Sequence, residues 1–166
     1  MSGNHITLSG APEGFDARLV AKELGRGAPV VHVARDDKRM EAMRAALAFF
    51  APDAVVLTFP AWDCLPYDRV SPNPDVSAAR MATLAGLAQG VPGPFILLTT
   101  LNAATQRIPA RDVLKAASFT AKVGTRVNEA DLRNFLVRMG FSQCPTVTEP
   151  GDYAVRGGII DIFPPG

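Results

Sequence analysis

The chain has 166 residues, of which 48% are hydrophobic, and its 17 Lys+Arg against 16 Asp+Glu leave a formal net charge of +1. This length suits one domain of ordinary size, or one domain followed by part of a second. The balanced charge, without a visible basic stripe, argues against a dedicated nucleic-acid binder and favours a protein partner.

The region from residue 6 to 100 alternates short apolar runs with segments of helical periodicity. Continuous apolar strands separated by helices indicate a parallel sheet with helices on both faces. The predicted fold class is therefore α/β, of the RecA-like, P-loop NTPase type, a pattern that other doubly wound folds share. The expected strands are 6–8, 29–34, 54–59 and 95–99, and helices are expected over 17–24 and 76–88. A further helix, which Asp36 or Asp37 would cap, is expected where Met40, Met43, Leu47 and Phe50 recur at helical spacing.

The pattern changes after Leu101. A short helix is expected over 109–114, an alternating strand over 119–123, and a helix that Asn128 caps and Gly140 ends. Strand-like segments follow from Thr146 onward. This α+β order predicts a boundary that divides the chain into 1–115, the RecA-like domain, and 116–166, the first part of a small α+β domain.

Several functional classes lack support in the sequence. No apolar run approaches the ~20 residues of a membrane-spanning helix, and no export signal is visible. Cys64 and Cys144 have no partners at metal-ligand spacing, so free thiols in a cytoplasmic protein are expected. His5 and His32 also lack such partners. We therefore predict no metal site and no catalytic residue.

The segment before the first long helix occupies the position of a P-loop, which needs a glycine-rich turn, a lysine and a hydroxyl residue. With Gly10 and Gly14 in the turn, Phe15 replaces the second required glycine, Asp16 the lysine and Ala17 the hydroxyl. A carboxylate facing a phosphate costs roughly 4 kcal/mol at 4 Å in an effective dielectric of 20. The sequence thus predicts a degenerate site that binds no nucleotide.

The most informative segment is at the C-terminal end. Two β-rich stretches, 153–155 and 159–163, flank Arg156, Gly157 and Gly158, which predict a turn or bulge. Glycines beside an arginine leave its guanidinium poorly shielded. A last strand without a further partner would expose a sheet edge, so we expect the chain to belong to a longer protein.

This segment resembles the second domain of the excision-repair protein UvrB and of the bacterial transcription-repair coupling factors (Mfd). In both, a stretch similar to 155–157 leads into an apolar strand that ends like 162–164. Gly158 resembles the coupling factors at this position, where UvrB usually has an aspartate. The coupling factors have also lost the P-loop that UvrB keeps.

A second match lies at 59–74, which is similar to the coupling factors in its Phe-Pro, Trp, Leu-Pro-Tyr and Ser-Pro pattern. UvrB has a long tyrosine-rich hairpin at this place, and the chain has no room for one before the helix near Val76. The resemblance covers nearly the whole chain, most strongly at 57–84 and 149–165. This resemblance implies that the chain is the N-terminal region of a coupling factor.

The resemblance also implies the partners. Arg156 would contact UvrA, the damage-recognition ATPase, with Gly157 and Gly158 giving the shape; Asp161 would join this surface or be a solvated strand residue. A whole coupling factor recognises stalled RNA polymerase and displaces it with an ATP-driven motor on double-stranded DNA. ATP and Mg²⁺ would bind that motor, outside these residues, so the chain itself is expected to have no cofactor.

Two alternatives remain at this point. The first is an ATP-binding, UvrB-type helicase subunit that verifies DNA damage, against which Asp16, Ala17 and the absent hairpin argue. The second is an unrelated doubly wound protein with a ligand site near 62–71. There, Trp62 and Tyr67 would stack on bases or, as we favour, pack their loop against the sheet.

Overall fold

The computed structural model describes residues 5–65 and 69–164, which form two compact units. The first unit contains the described residues up to Ala61 together with Val91–Gln106, and the second contains Trp62–Gly90 together with the described residues from Arg107 onward. The helices are α1 (Phe15–Leu24), α2 (Asp37–Phe50), α3 (Pro74–Gln89), α4 (Leu101–Ala104), α5 (Arg111–Ala116) and α6 (Glu129–Arg138). The strands are β1 (Val30–Ala34), β2 (Val55–Phe59), β3 (Phe95–Thr100), β4 (Ser142–Gln143), β5 (Asp152–Arg156) and β6 (Ile159–Ile162).

The first unit contains a three-stranded parallel sheet with the order β1-β3-β2. Its central residue Ile96 pairs with Val30 on one side and Val56 on the other. Strands rich in β-branched residues fit such a pleated, buried surface. The predicted α/β class with a parallel sheet is confirmed.

Helices α1 and α2 pack against one face of this sheet. Leu47, Ile96 and Leu98 are fully buried there, and each buried aliphatic side chain contributes ~1.5–3 kcal/mol. On the opposite face, Val31 and Val33 remain 60% and 47% exposed. The expected helix layer on that second face, and with it the RecA-like classification, stays a prediction.

Two short strands predicted from alternation are wrong. Residues 6–8 form no strand, and Ile6 is 77% exposed. Residues 119–123 are irregular; Phe119 packs on the Phe135 ring with centroids 5.3 Å apart, while Val123 is fully exposed. Alternation over so few residues does not specify a strand unless a neighbouring strand is available to pair with it.

The second unit joins helices to a small sheet. Arg111 of α5 donates hydrogen bonds to the carbonyls of Leu87 and Ala88 at the end of α3. Asn128 caps α6, since its side chain accepts from two backbone N–H groups, and Gly140 follows the helix with φ 83°. Both predicted helix ends are therefore confirmed.

The small sheet has the order β4-β5-β6, with β4 parallel and β6 antiparallel to β5. The strand expected from Thr146 begins only at Asp152, because residues 144–151 form a loop. The two residues of β4 are polar and short, and the sequence pattern missed them. The domain boundary after residue 115 stays a prediction.

Candidate partner-binding site

Gly157 and Gly158 form the two-residue turn of the β5–β6 hairpin, between the paired residues Arg156 and Ile159. Gly157 has φ 58°, whereas Gly158 lies outside the positive region. A positive φ at the first turn position alone is typical of a type II′ turn, which matches the twist of a hairpin. The predicted turn is confirmed, and a Cβ at either glycine would meet no atom within 4 Å.

Arg156 and Asp161 lie on the same face of this hairpin. In the register, Ala154 pairs with Asp161 and Arg156 pairs with Ile159, so the two charged residues are diagonal neighbours. The Arg156 guanidinium donates to the Asp161 carboxylate, and the two side chains are 61% and 38% exposed. Such an exposed ion pair contributes little stability but orients the guanidinium along the strand.

The hairpin is fixed to its unit by buried residues of β5. Tyr153 and Ala154 are almost fully buried. The Tyr153 carbonyl accepts a hydrogen bond from the Cys144 backbone N–H, and its hydroxyl contacts the Gln143 side chain. The exposed face around Arg156 therefore lies on a strand with a buried support.

The loop before β5 is held by Asp152, whose carboxylate accepts from the backbone N–H groups of Thr148 and Glu149. These hydrogen bonds, with the one to Glu149 foremost, hold the pKa of Asp152 below its usual value. Burial and the nearby Asp152 raise the pKa of the Cys144 thiol. A thiol with a raised pKa has less thiolate at neutral pH and is therefore a poorer nucleophile.

The P-loop-like segment forms the start of α1. Gly10 and Gly14 have positive φ values of 69° and 80°, and Gly14 directly precedes the helix that Phe15 begins. Asp16 lies in the first turn, and its carboxylate accepts from the Ala17 N–H. Ala17 is fully buried in the core, so the position aligned with a metal-binding hydroxyl serves packing.

Arg39 of α2 lies beside this helix start. Its guanidinium is 3.3 Å from a Glu13 carboxylate oxygen and 3.7 Å from an Asp16 oxygen. A cleft of about 240 Å³ lies next to it, and its lining includes His32 and Arg35. Burial lowers the pKa of His32, and Arg39 adds to this effect while Asp16 opposes it. No sequence pattern indicates this group, because its residues come from β1, α1, α2 and the loops next to them.

The loop after β2 contains an unexpected contact. The Arg80 guanidinium of α3 lies 4.3 Å from the centre of the Trp62 ring, and Arg80 is only 2% exposed. Burial lowers the pKa of Arg80. Trp62 thus packs on a cation of α3, which sequence reasoning did not find. Tyr67, the other predicted aromatic, lies outside the described residues.

Two kinds of site are not found in the part of the chain that the structure describes. Over residues 5–65 and 69–164, no group of three or more His, Cys, Asp or Glu residues could hold a metal ion. Within the same ranges, no helix combines the length and apolar character needed to span a membrane.

Comparison with known proteins shows the family to which the chain belongs. Residues 119–166 match the UvrB interaction domain family. The chain is 35% identical to the transcription-repair-coupling factor of Myxococcus xanthus over 99% of its own length, and 33% identical to that of Escherichia coli K12 over 90%. It spans only 14% and 13% of the lengths of these relatives. The chain therefore belongs to the transcription-repair-coupling factor family, as a segment that includes its UvrB interaction domain.

Proposed function

We propose that this chain is the docking module through which a transcription-repair coupling factor recruits UvrA. The observation that supports this most is the hairpin itself, which presents the exposed Arg156 within the segment that matches the UvrB interaction domain. Arg156 would make charge-assisted hydrogen bonds with acidic groups of UvrA. Gly157 and Gly158 would keep the turn narrow, and Asp161 would complete the surface.

The remaining activities belong, in this proposal, to other parts of a longer protein. RNA polymerase and double-stranded DNA would bind there, and ATP with Mg²⁺ would drive the motor that displaces the polymerase. The present segment would have no catalytic residue and no cofactor, and its first unit would be a RecA-like domain with a degenerate nucleotide site. A cytoplasmic location follows from the same proposal.

The alternative of a UvrB-type helicase subunit is disfavoured by one contact. The start of α1 holds two carboxylates, Glu13 and Asp16, next to Arg39. A cation already neutralised by two carboxylates attracts a nucleotide phosphate weakly, and Asp16 repels it directly.

Direct binding of purified UvrA to the immobilised chain tests the proposal. We expect saturable binding that weakens with added salt, because an arginine–carboxylate contact near the surface is screened. A Lys-rich protein of similar size serves as the negative control for nonspecific attraction. Absence of saturable binding at micromolar UvrA would contradict the docking function.

A further inference from the structure

Arg156 does not stand alone on its hairpin face. Ile159 pairs directly across from it and is 64% exposed. Backbone hydrogen bonds continue past β6, where the Phe163 N–H donates to the Asp152 carbonyl. Alternation along the strand therefore places Phe163, which is 43% exposed, on the same side as Ile159 and Asp161. We call Arg156, Ile159, Asp161 and Phe163 the hairpin face.

This face combines a charge pair with apolar side chains. Exposed single apolar residues are common on protein surfaces, but here two of them, Ile159 and Phe163, lie on either side of Asp161 along one strand. Residues that dominate binding energies are often arginines surrounded by apolar contacts that exclude water. Exclusion of water strengthens a hydrogen bond between a guanidinium and a partner carboxylate.

We infer that Ile159 is a second partner-contacting residue, with Phe163 extending the same apolar border. The partner would present a carboxylate to Arg156 and an apolar group to Ile159. Asp161 would be a positioning residue, since it holds the guanidinium along the hairpin face before the partner arrives. This inference rests on the proposed function and adds the chemistry of the surface that the partner must offer.

The charge and shape of the hairpin face indicate which partner surface fits it. Arg156 has one carboxylate, Asp161, in diagonal contact and is still 61% exposed, so N–H groups of its guanidinium stay available to donate to a partner carboxylate. A partner carboxylate would either share the guanidinium or take the place of Asp161. A purely basic surface would be repelled by Arg156 and would leave Ile159 without an apolar counterpart.

A graded series at Ile159 tests the inference with UvrA as the probe. Ile159→Val removes one methylene, so we expect about fourfold weaker binding. Ile159→Thr has the shape of valine with a hydroxyl, and we expect a loss on the order of tenfold. Both substitutes are β-branched and favour a strand, and the side chain is largely exposed, so the fold should persist.

Val123→Thr is the matched control, because it makes a similar change at a fully exposed position in the same unit. Its affinity should stay within about twofold of the parent. Asp161→Asn is the last variant of the series, and it should change the affinity for UvrA by less than Arg156→Ala does. Thermal unfolding followed by Trp62 fluorescence checks that each variant is folded.

The outcomes separate the two proposals. If the unsubstituted chain does not bind UvrA, the proposed function is wrong and this inference falls with it. If the chain binds and Ile159→Thr binds as tightly as Val123→Thr, only the inference is wrong. A graded loss from valine to threonine supports it.

Discussion

The Arg39 guanidinium of α2 lies 3.7 Å from a carboxylate oxygen of Asp16, in the first turn of α1. Glu13 contacts the same guanidinium at 3.3 Å. A helix N-terminus attracts anions through its free N–H groups and its dipole. Here Asp16 already occupies that position, and its carboxylate accepts from the Ala17 N–H. The N-terminus of α1 is therefore already paired with a carboxylate of the chain itself, that of Asp16.

We expect no measurable binding of Mg-ATP to this chain. Isothermal titration at millimolar ligand should give no saturable heat, because Asp16 repels phosphate and the buried Ala17 offers no metal ligand. Asp16→Asn removes the charge with little change of shape, and it should not restore binding, since Phe15 and Ala17 are unchanged. A micromolar dissociation constant for the parent chain would revive the helicase alternative.

The neighbouring His32 predicts a pH dependence of stability. Burial lowers its folded-state pKa below the ordinary value of 6.5, so the fold favours the neutral ring. The unfolded chain then takes up the proton at a higher pH than the folded chain does. The stabilisation from neutral His32 is complete above pH 6.5 and is lost as the pH falls from there through the folded pKa.

Two measurements check the His32 prediction. Denaturant unfolding followed by circular dichroism should give a free energy of unfolding that decreases as the pH is lowered from about 7 to about 5. Titration of the His32 ring by NMR should give a pKa below 6.5. A titration midpoint above that value would mean that the attraction of Asp16 outweighs burial.

The sequence predicted the parallel sheet well, since β1, β2 and β3 are short, mainly apolar runs separated by helical segments. The starts of helices could be predicted equally well, because capping residues such as Asp36 and Asn128 accept from N–H groups within the next few residues. Local chemistry of this kind can be predicted without knowledge of the rest of the fold.

Contacts between distant segments were not predictable in the same way. Arg80 lies on a helical face where periodicity leads one to expect an apolar residue, and its burial depends on Trp62 in a separate loop. The group around His32 likewise depends on the packing of three elements. At the hairpin, the turn followed from Gly157 and Gly158, whereas the pairing of Arg156 with Ile159 required the strand register.

The two turn glycines should respond differently to alanine. Gly157 has φ 58°, a sparsely populated conformation that costs an L residue about 1–3 kcal/mol, so Gly157→Ala should reduce the free energy of unfolding by about that amount. Gly158 has no positive φ, and a methyl group there would meet no atom within 4 Å. Gly158→Ala should therefore change the free energy of unfolding by less than about 0.5 kcal/mol.

Denaturant unfolding followed by Trp62, the single tryptophan of the chain, measures both turn variants, because Trp62 belongs to the same compact unit as the hairpin. Each variant is the control for the other, since the residues are adjacent and the substitution is identical. Equal losses at the two positions would show that the turn is not of the type II′ form.

Arg156→Ala should separate binding from stability. The side chain is 61% exposed and its ion pair with Asp161 is solvated, so we expect the free energy of unfolding to change by less than about 0.5 kcal/mol. At an interface, loss of one partner from a hydrogen-bonded charge pair costs ~2–5 kcal/mol, much of it because the other charge is left unpaired. Binding to UvrA should therefore weaken by at least about thirtyfold.

Arg156→Lys is the matched control for charge, and the comparison between the two variants defines the contact. Lysine keeps the positive charge but loses the planar fork that pairs with a carboxylate through two N–H groups. We expect its affinity for UvrA to lie between those of the parent and of Arg156→Ala, as measured by binding of purified UvrA to the immobilised chain. If Arg156→Ala binds as tightly as the parent, Arg156 is only a solvated strand residue. If it unfolds instead, the residue is structural, and the hairpin surface must be assigned to other side chains.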